Sequence, residues 1–175
     1  MVTALVGIVS VIGLPLLGQM SGTIELGEAA RQVERELQSA RIAAVSANQP
    51  MRVMFNCPVA GQYRLVELIG TPAVPAAADD TVGRCSTTTY PFPAPDNNPI
   101  TRPNSDGPLR RLSEQVTFTT VTTIEFWPDG TAHTNTGGTN PWPPIAAPGT
   151  NIVLTRSGKT RTILVNGIGK IQLLP

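Results

Sequence analysis

The sequence predicts an α+β protein, with one long N-terminal helix (transmembrane, then amphipathic) followed by an antiparallel β-sheet or sandwich domain. Three observations predict it. No charged side chain occurs from Met1 to Ile24, apolar residues then recur at helical spacing to Ala44, and beyond Pro50 short β-branched runs alternate with turn formers. The chain divides into residues 1–48, the helix, and residues 49–175, the β domain.

The stretch Met1–Ile24 is long enough to cross the ~30 Å hydrocarbon core of a bilayer, and Pro15 is tolerated there as a kink. A cleavable signal peptide is the rival reading. Against it, no basic region precedes the apolar run, the run exceeds the roughly 7–15 residues of a signal core, and no convincing small-x-small cleavage site precedes the charged part; a fully buried core helix is the third reading.

The second half of the helix is amphipathic. Leu26, Ala30, Val33, Leu37, Ala40 and Ala44 form one stripe, while Glu28, Arg31, Glu34, Arg35, Glu36 and Arg41 occupy the other faces. Gly18, Gly22 and Gly27 each weaken a helix by about 1 kcal/mol relative to alanine, so bending or local melting is expected at the junction. The charged faces are read as solvated, with pairing of Glu25, Glu28 and Arg31 to neighbouring copies as the alternative.

In the β domain, Arg52–Phe55 and Gln62–Ile69 form a hairpin across Pro58-Val59-Ala60-Gly61. Further strands are expected at Gln115–Thr120, at Thr123–Trp127 returning through Pro128-Asp129-Gly130 to Thr131–Thr134, at Asn151–Arg156, at Thr160–Val165 and at Lys170–Leu173. Gly70–Asn104 and Gly137–Gly149 carry too many prolines to lie within a sheet. They are expected as surface loops in which Trp142 either contacts a partner or folds back onto the sheet.

Charged residues make up 14% of the chain and the formal net charge is +1, so no global basic field points to nucleic acid. The 17 prolines and 16 glycines suit a turn-rich domain outside the cytoplasm. In that compartment Cys57 and Cys85 are expected to pair, closing a loop on the order of 3 kcal/mol in stability; two unrelated thiols are the alternative.

Catalytic machinery is not legible. The sequence has no G-x-S-x-G, paired-histidine or Cys-x-x-Cys pattern, and its one histidine, His133, lies on a predicted strand without a nucleophile beside it. Asp79-Asp80, Asp96-Asn97-Asn98 and Asn104-Ser105-Asp106-Gly107 are oxygen-rich but lack the order of a calcium loop, so turn chemistry is favoured. No catalytic, cofactor-binding or metal-ligating residue is assigned.

The segment Ala4-Leu5-Val6-Gly7-Ile8-Val9-Ser10-Val11-Ile12-Gly13-Leu14-Pro15, then Ala29–Arg41 and Ser46-Ala47-Asn48-Gln49-Pro50, resembles the N-terminal helix of type IV pilin-like proteins. More narrowly, it is similar to the minor pseudopilin H of type II secretion systems and to FimT-type minor pilins. Ile124–Ala132, Ile152-Val153-Leu154, Arg161–Asn166 and Gly169-Lys170-Ile171 follow that family's strand order. The resemblance implies a non-enzymatic subunit, made as a precursor for the prepilin peptidase. It would be held by one pass in the inner membrane, with its β domain in the periplasm or on a filament. It would assemble through its helix with other pilin or pseudopilin subunits and meet secretion substrates. The family's leader, cleavage glycine, phenylalanine and glutamate are not present. Judged from Gly7 to Pro15, Met1 falls about seven residues inside the mature N-terminus, as in a truncated gene model.

Some minor pilins of this resemblance act in DNA uptake, which is the alternative function. Arg156, Lys159 and Arg161 flank the Ser157-Gly158 turn and Lys170 lies on the next strand, a small basic tip suited to phosphate contact without base reading.

Overall fold

The computed structural model describes residues 2–95, 98, 100, 102–136 and 138–174, and for residues 2–21 the course of the backbone. Helix α1, Val2–Ala47, runs without interruption through Pro15, Gly18, Gly22 and Gly27, where bending or melting was expected. Two contacts from the β domain hold it just beyond Gly22, as described below. The helix stops where Asn48 turns left-handed (φ 51°) and the Gln49 N–H returns to the Ala44 carbonyl at 3.2 Å; Pro50 follows. Among the described residues no helix is long and apolar enough to cross a membrane. Most of the expected membrane segment, Met1–Ile24, lies outside the residues whose side chains are described.

Two antiparallel sheets follow. The first has the order β3-β2-β1-β5-β6, with β1 Met51–Phe55, β2 Gln62–Glu67, β3 Arg110–Arg111, β5 Ile124–Phe126 and β6 Ala132–Thr134. The second has the order β4-β7-β8-β9, with β4 Thr117–Thr120, β7 Thr150–Arg156, β8 Lys159–Val165 and β9 Ile171–Leu174. The β1–β2 hairpin pairs Met51 with Glu67 and Phe55 with Tyr63, as the alternation predicts. A 3₁₀ turn at Val82–Cys85 and the short β3 were not anticipated. Strand β2 stops at Glu67 rather than Ile69 because the Asp79 carboxylate takes the Ile69 and Gly70 N–H groups at 3.0 and 2.9 Å. Strand β4 starts at Thr117 because Gln115 is left-handed (φ 65°) in a turn closed by Val116 N–H on the Ser113 carbonyl.

The predicted stripe of α1 is the buried one. Leu26, Ala30, Val33, Leu37, Ala40 and Ala44, with Ala29, share one core with Val53, Leu65, Ile124 and Phe126 of the first sheet and Ile152, Leu154, Ile163 and Val165 of the second. The four alanines let the strands approach the helix closely, and the larger side chains each contribute roughly 1.5–3 kcal/mol by burial.

Tyr63 sits in this core within an aromatic triangle, 5.8 Å from Phe118 and 6.2 Å from Phe55 between ring centroids. Its buried hydroxyl has no hydrogen-bond partner among the described residues. Burial, then the charge of Glu36, push the phenol above its ordinary value of 10.0. Above pH 10 the unfolded chain therefore loses a proton that the folded chain keeps, and stability falls as pH rises. Tyr63→Phe removes both effects. It is expected to raise stability at neutral pH by about 1 kcal/mol and to lessen the alkaline loss, read from urea midpoints at pH 7 and 10.5.

Candidate functional site

Both faces of the first sheet are covered. Met51, Val53, Tyr63 and Leu65 face α1, while the alternate residues Arg52, Met54, Arg64 and Val66 lie under the proline-rich stretch after β2. Three arginines organise that layer. Arg52 Nε donates to Glu125 Oε2 at 2.6 Å, and its Nη1 donates to the Asp79 carbonyl at 3.1 Å and to Asp80 Oδ1 at 2.7 Å. Arg64 Nε donates to the Gly107 carbonyl at 2.7 Å. Arg84, from the 3₁₀ turn, donates to both Asp106 oxygens at 2.9 and 2.8 Å and to the Glu67 carbonyl at 2.6 Å.

Arg52, Arg64, Arg84 and Asp106 are all buried, so this is a charged core rather than a solvated face. Burial pushes the Asp106 carboxyl up, against the opposing charge of Arg84, and pushes the Arg64 guanidinium down. Cys57 and Cys85 are joined in a disulfide packed with Met54 and Val66. Of the oxygen-rich segments, Asp79 caps the Ile69, Gly70 and Ala76 N–H groups and Asp106 holds Arg84; Asp96 and Asn97 lie outside the described residues. Among the described residues no cluster of His, Cys, Asp and Glu suits a metal ion.

His133 is a structural node on β6. Its Nδ1 shares a hydrogen bond with the Trp142 carbonyl at 2.9 Å, its Nε2 one with Thr131 Oγ1 at 2.8 Å, and its ring stacks on Trp127 at 3.7 Å. Trp127 Nε1 donates to Glu125 Oε1 at 2.6 Å, and Arg52 lies 4.0 Å over the Trp142 ring, closing a circuit across the sheet face. Trp142 thus folds back onto the sheet.

The basic residues are not gathered on one tip. Arg156 pairs with Glu25 of α1, and Lys159 Nζ donates to Thr23 Oγ1 at 2.6 Å, so the β7–β8 turn clasps the helix just past Gly22. Glu25 therefore has a partner within its own chain. Arg161 is half-buried on β8, and Lys170 precedes β9 at the other end of β8, roughly 20 Å from Lys159 at strand rise.

The surface left open on α1 is a stripe. Ile24, Ile42 and Val45 are 60%, 68% and 52% exposed, on the same face as Glu28, Arg31, Arg35 and Gln38. A helix that gives one face to its own sheets and keeps apolar side chains on the other can pack against further helices.

The family model of the type II transport protein GspH matches residues 29–169. The chain belongs to the GspH family. The type IV minor pilin FimU of Pseudomonas aeruginosa has the same fold, at 17% identity and a TM-score of 0.51, over 89% of this chain and 92% of that one. The minor pseudopilin EpsH from the type 2 secretion system of Vibrio cholerae aligns at 12% identity and a TM-score of 0.45, over 86% of this chain and 96% of that one. No curated protein matches significantly. The family is one of structural, pilin-like subunits of the envelope-associated pseudopilus and pilus systems, and the helix-then-sheets order of this chain is its fold.

Sequence reading missed the arginine layer. Its signal was present: Arg52 stands between Met51 and Val53-Met54-Phe55, and Arg64 between Tyr63 and Leu65-Val66, so both strands carry apolar residues on both faces. A charge on a strand buried on both faces needs a partner from another segment.

Proposed function

We propose that this chain is a minor subunit that enters a type II secretion pseudopilus or a type IV pilus through the open face of α1. The observation that carries the reading is the exposed stripe Ile24, Ile42 and Val45 on a helix whose opposite face is already filled by its own sheets. Residues 1–24 hold the subunit in the inner membrane before assembly. Residues 1–48 then pack among the helices of other pilin or pseudopilin subunits, where the apolar side chains stay in apolar surroundings. Residues 49–175 face the periplasm or the filament exterior and meet secretion substrates there. The prepilin peptidase acts on the full-length precursor. In this reading the protein catalyses nothing and needs no cofactor. DNA contact has weaker support, because Arg156 and Lys159 direct their donors at the helix.

The test is expression of the full-length gene from its own locus, in cells with and without the prepilin peptidase. Expected is a peptidase-dependent loss of a short leader, with the protein in the inner membrane and in sheared filaments. The exposed changes Arg31→Glu and Ile42→Asp are expected to remove it from filaments without shifting its urea midpoint. A soluble product cut by signal peptidase, or full filament entry by the double variant, would overturn the reading.

A further inference from the structure

The four edges of the two sheets are not equivalent. β3 is two residues long, and β4 is broken by a register shift between Phe118 and Thr120. β6 is covered by the second proline-rich loop, which gives Ile145 N–H to the Ala132 carbonyl and takes Thr134 N–H on Pro143. That leaves β9. The Asn166 N–H donates to the Lys170 carbonyl at 3.1 Å, which sets the phase of the β8–β9 ladder. In that phase Gln172 and Leu174 bond to β8, while the N–H and C=O groups of Ile171 and Leu173 point away from it. Among the described residues no hydrogen bond reaches these outward groups.

Beside this edge lies a groove of about 520 Å³ between α1 and β9, lined by Gln38, Arg41 and Ile42 on one side and Ile168, Lys170 and Ile171 on the other. Ile42 and Ile168 are 68% and 71% exposed. The Arg41 guanidinium is fixed by the Gly130 and Ile168 carbonyls at 3.0 and 3.4 Å, and no carboxylate pairs with Arg41 or Lys170 among the described residues. The lining thus offers two cations, apolar side chains and an unpaired strand edge, with no acidic group.

We propose that this edge and groove receive an extended acidic segment of a partner protein, which adds to β9 as a fifth strand. Main-chain bonds to Ile171 and Leu173 give the affinity, alternate apolar side chains rest on Ile42 and Ile168, and carboxylates meet Arg41 and Lys170. This goes beyond packing through α1, since its main-chain bonds are made to the β9 edge; of the groove lining only Gln38 and Ile42 are shared with the open helix face.

The test uses the full chain in detergent micelles, titrated with a short peptide of alternating valine and glutamate and with its valine–lysine counterpart. Expected is slowing of amide exchange at Ile171 and Leu173 by about tenfold with the acidic peptide only, and little change at Gln172, already bonded to β8. Lys170→Glu is expected to weaken that binding about tenfold while the melting temperature holds. Absence of protection at millimolar peptide, equal protection by the basic peptide, or protection placed on β4 would overturn the proposal. So would protection of both amides in the protein alone together with a dimer in sedimentation, because the occupant would then be a second copy.

Discussion

Arg84→Met is expected to lower stability by about 3–5 kcal/mol, the usual loss when one partner of a buried ion pair is removed. Arg84 is wholly buried, holds both oxygens of Asp106 and the Glu67 carbonyl, and lies 4.2 Å over the Tyr90 ring. Methionine fills much of the volume but leaves the Asp106 carboxylate in the interior with only Arg64, at 3.9 Å, and the Glu67 N–H. Adding Asp106→Asn is expected to recover part of the loss, since the carboxylate that Arg84 bound through two hydrogen bonds is then neutral; Asp79, 3.9 Å from Arg84, keeps its N–H partners at Ile69, Gly70 and Ala76.

The pH dependence gives a second check. Burial already raises the Asp106 carboxyl, and loss of Arg84 raises it further. A group raised in the folded state contributes stability below its unfolded value and loses it as pH rises through the folded one. The deficit of Arg84→Met therefore shrinks as pH is lowered into the carboxylate range. Urea titrations at several pH values read both effects; a deficit under 1 kcal/mol, or one that grows in acid, would sink the assignment of Arg84 as the organiser of this layer.

The double change Cys57→Ser, Cys85→Ser is expected to cost about 3–4 kcal/mol by freeing the unfolded chain from a closed loop. The two residues are 28 apart in sequence and both are buried. The loss should be local as well as global. The disulfide and Arg84 tie the same 3₁₀ turn to the sheet, so amides at Glu67 and Ile69 should open before the β7–β8 hairpin, where neither residue makes contact. Amide exchange of the full chain, with mass measured with and without reductant, checks this. Equal opening of both regions would mean that the bridge does not hold the proline-rich stretch separately.

Much of the fold was legible because its signals are local. The stripe from Leu26 to Ala44 has helical period and is buried as that period requires; Ser157-Gly158 supplies the two left-handed residues of a tight hairpin, with φ of 49° and 76°. The site was less legible. Proline told that Gly70–Asn104 stays out of a sheet, but nothing local told that Asp80 and Asp106 would meet arginines on β1, on β2 and within the stretch itself. Arg156 and Lys159 read as a free basic tip because their partners, Glu25 and Thr23, lie more than a hundred residues away.

The sequence by itself determined the order of parts, the apolar face of the helix, and most strands and their turns, which follow from period, turn chemistry and spacing along the chain; the family entered through resemblance of the helix and strand segments to known pilin-like proteins. Only the tertiary structure decided which charges are buried, where Trp142 and His133 point, that the basic hairpin clasps α1, and that β9 keeps an open edge. Those depend on which distant segments meet, and a charge or a strand edge has no fixed role until its neighbours across the fold are in place.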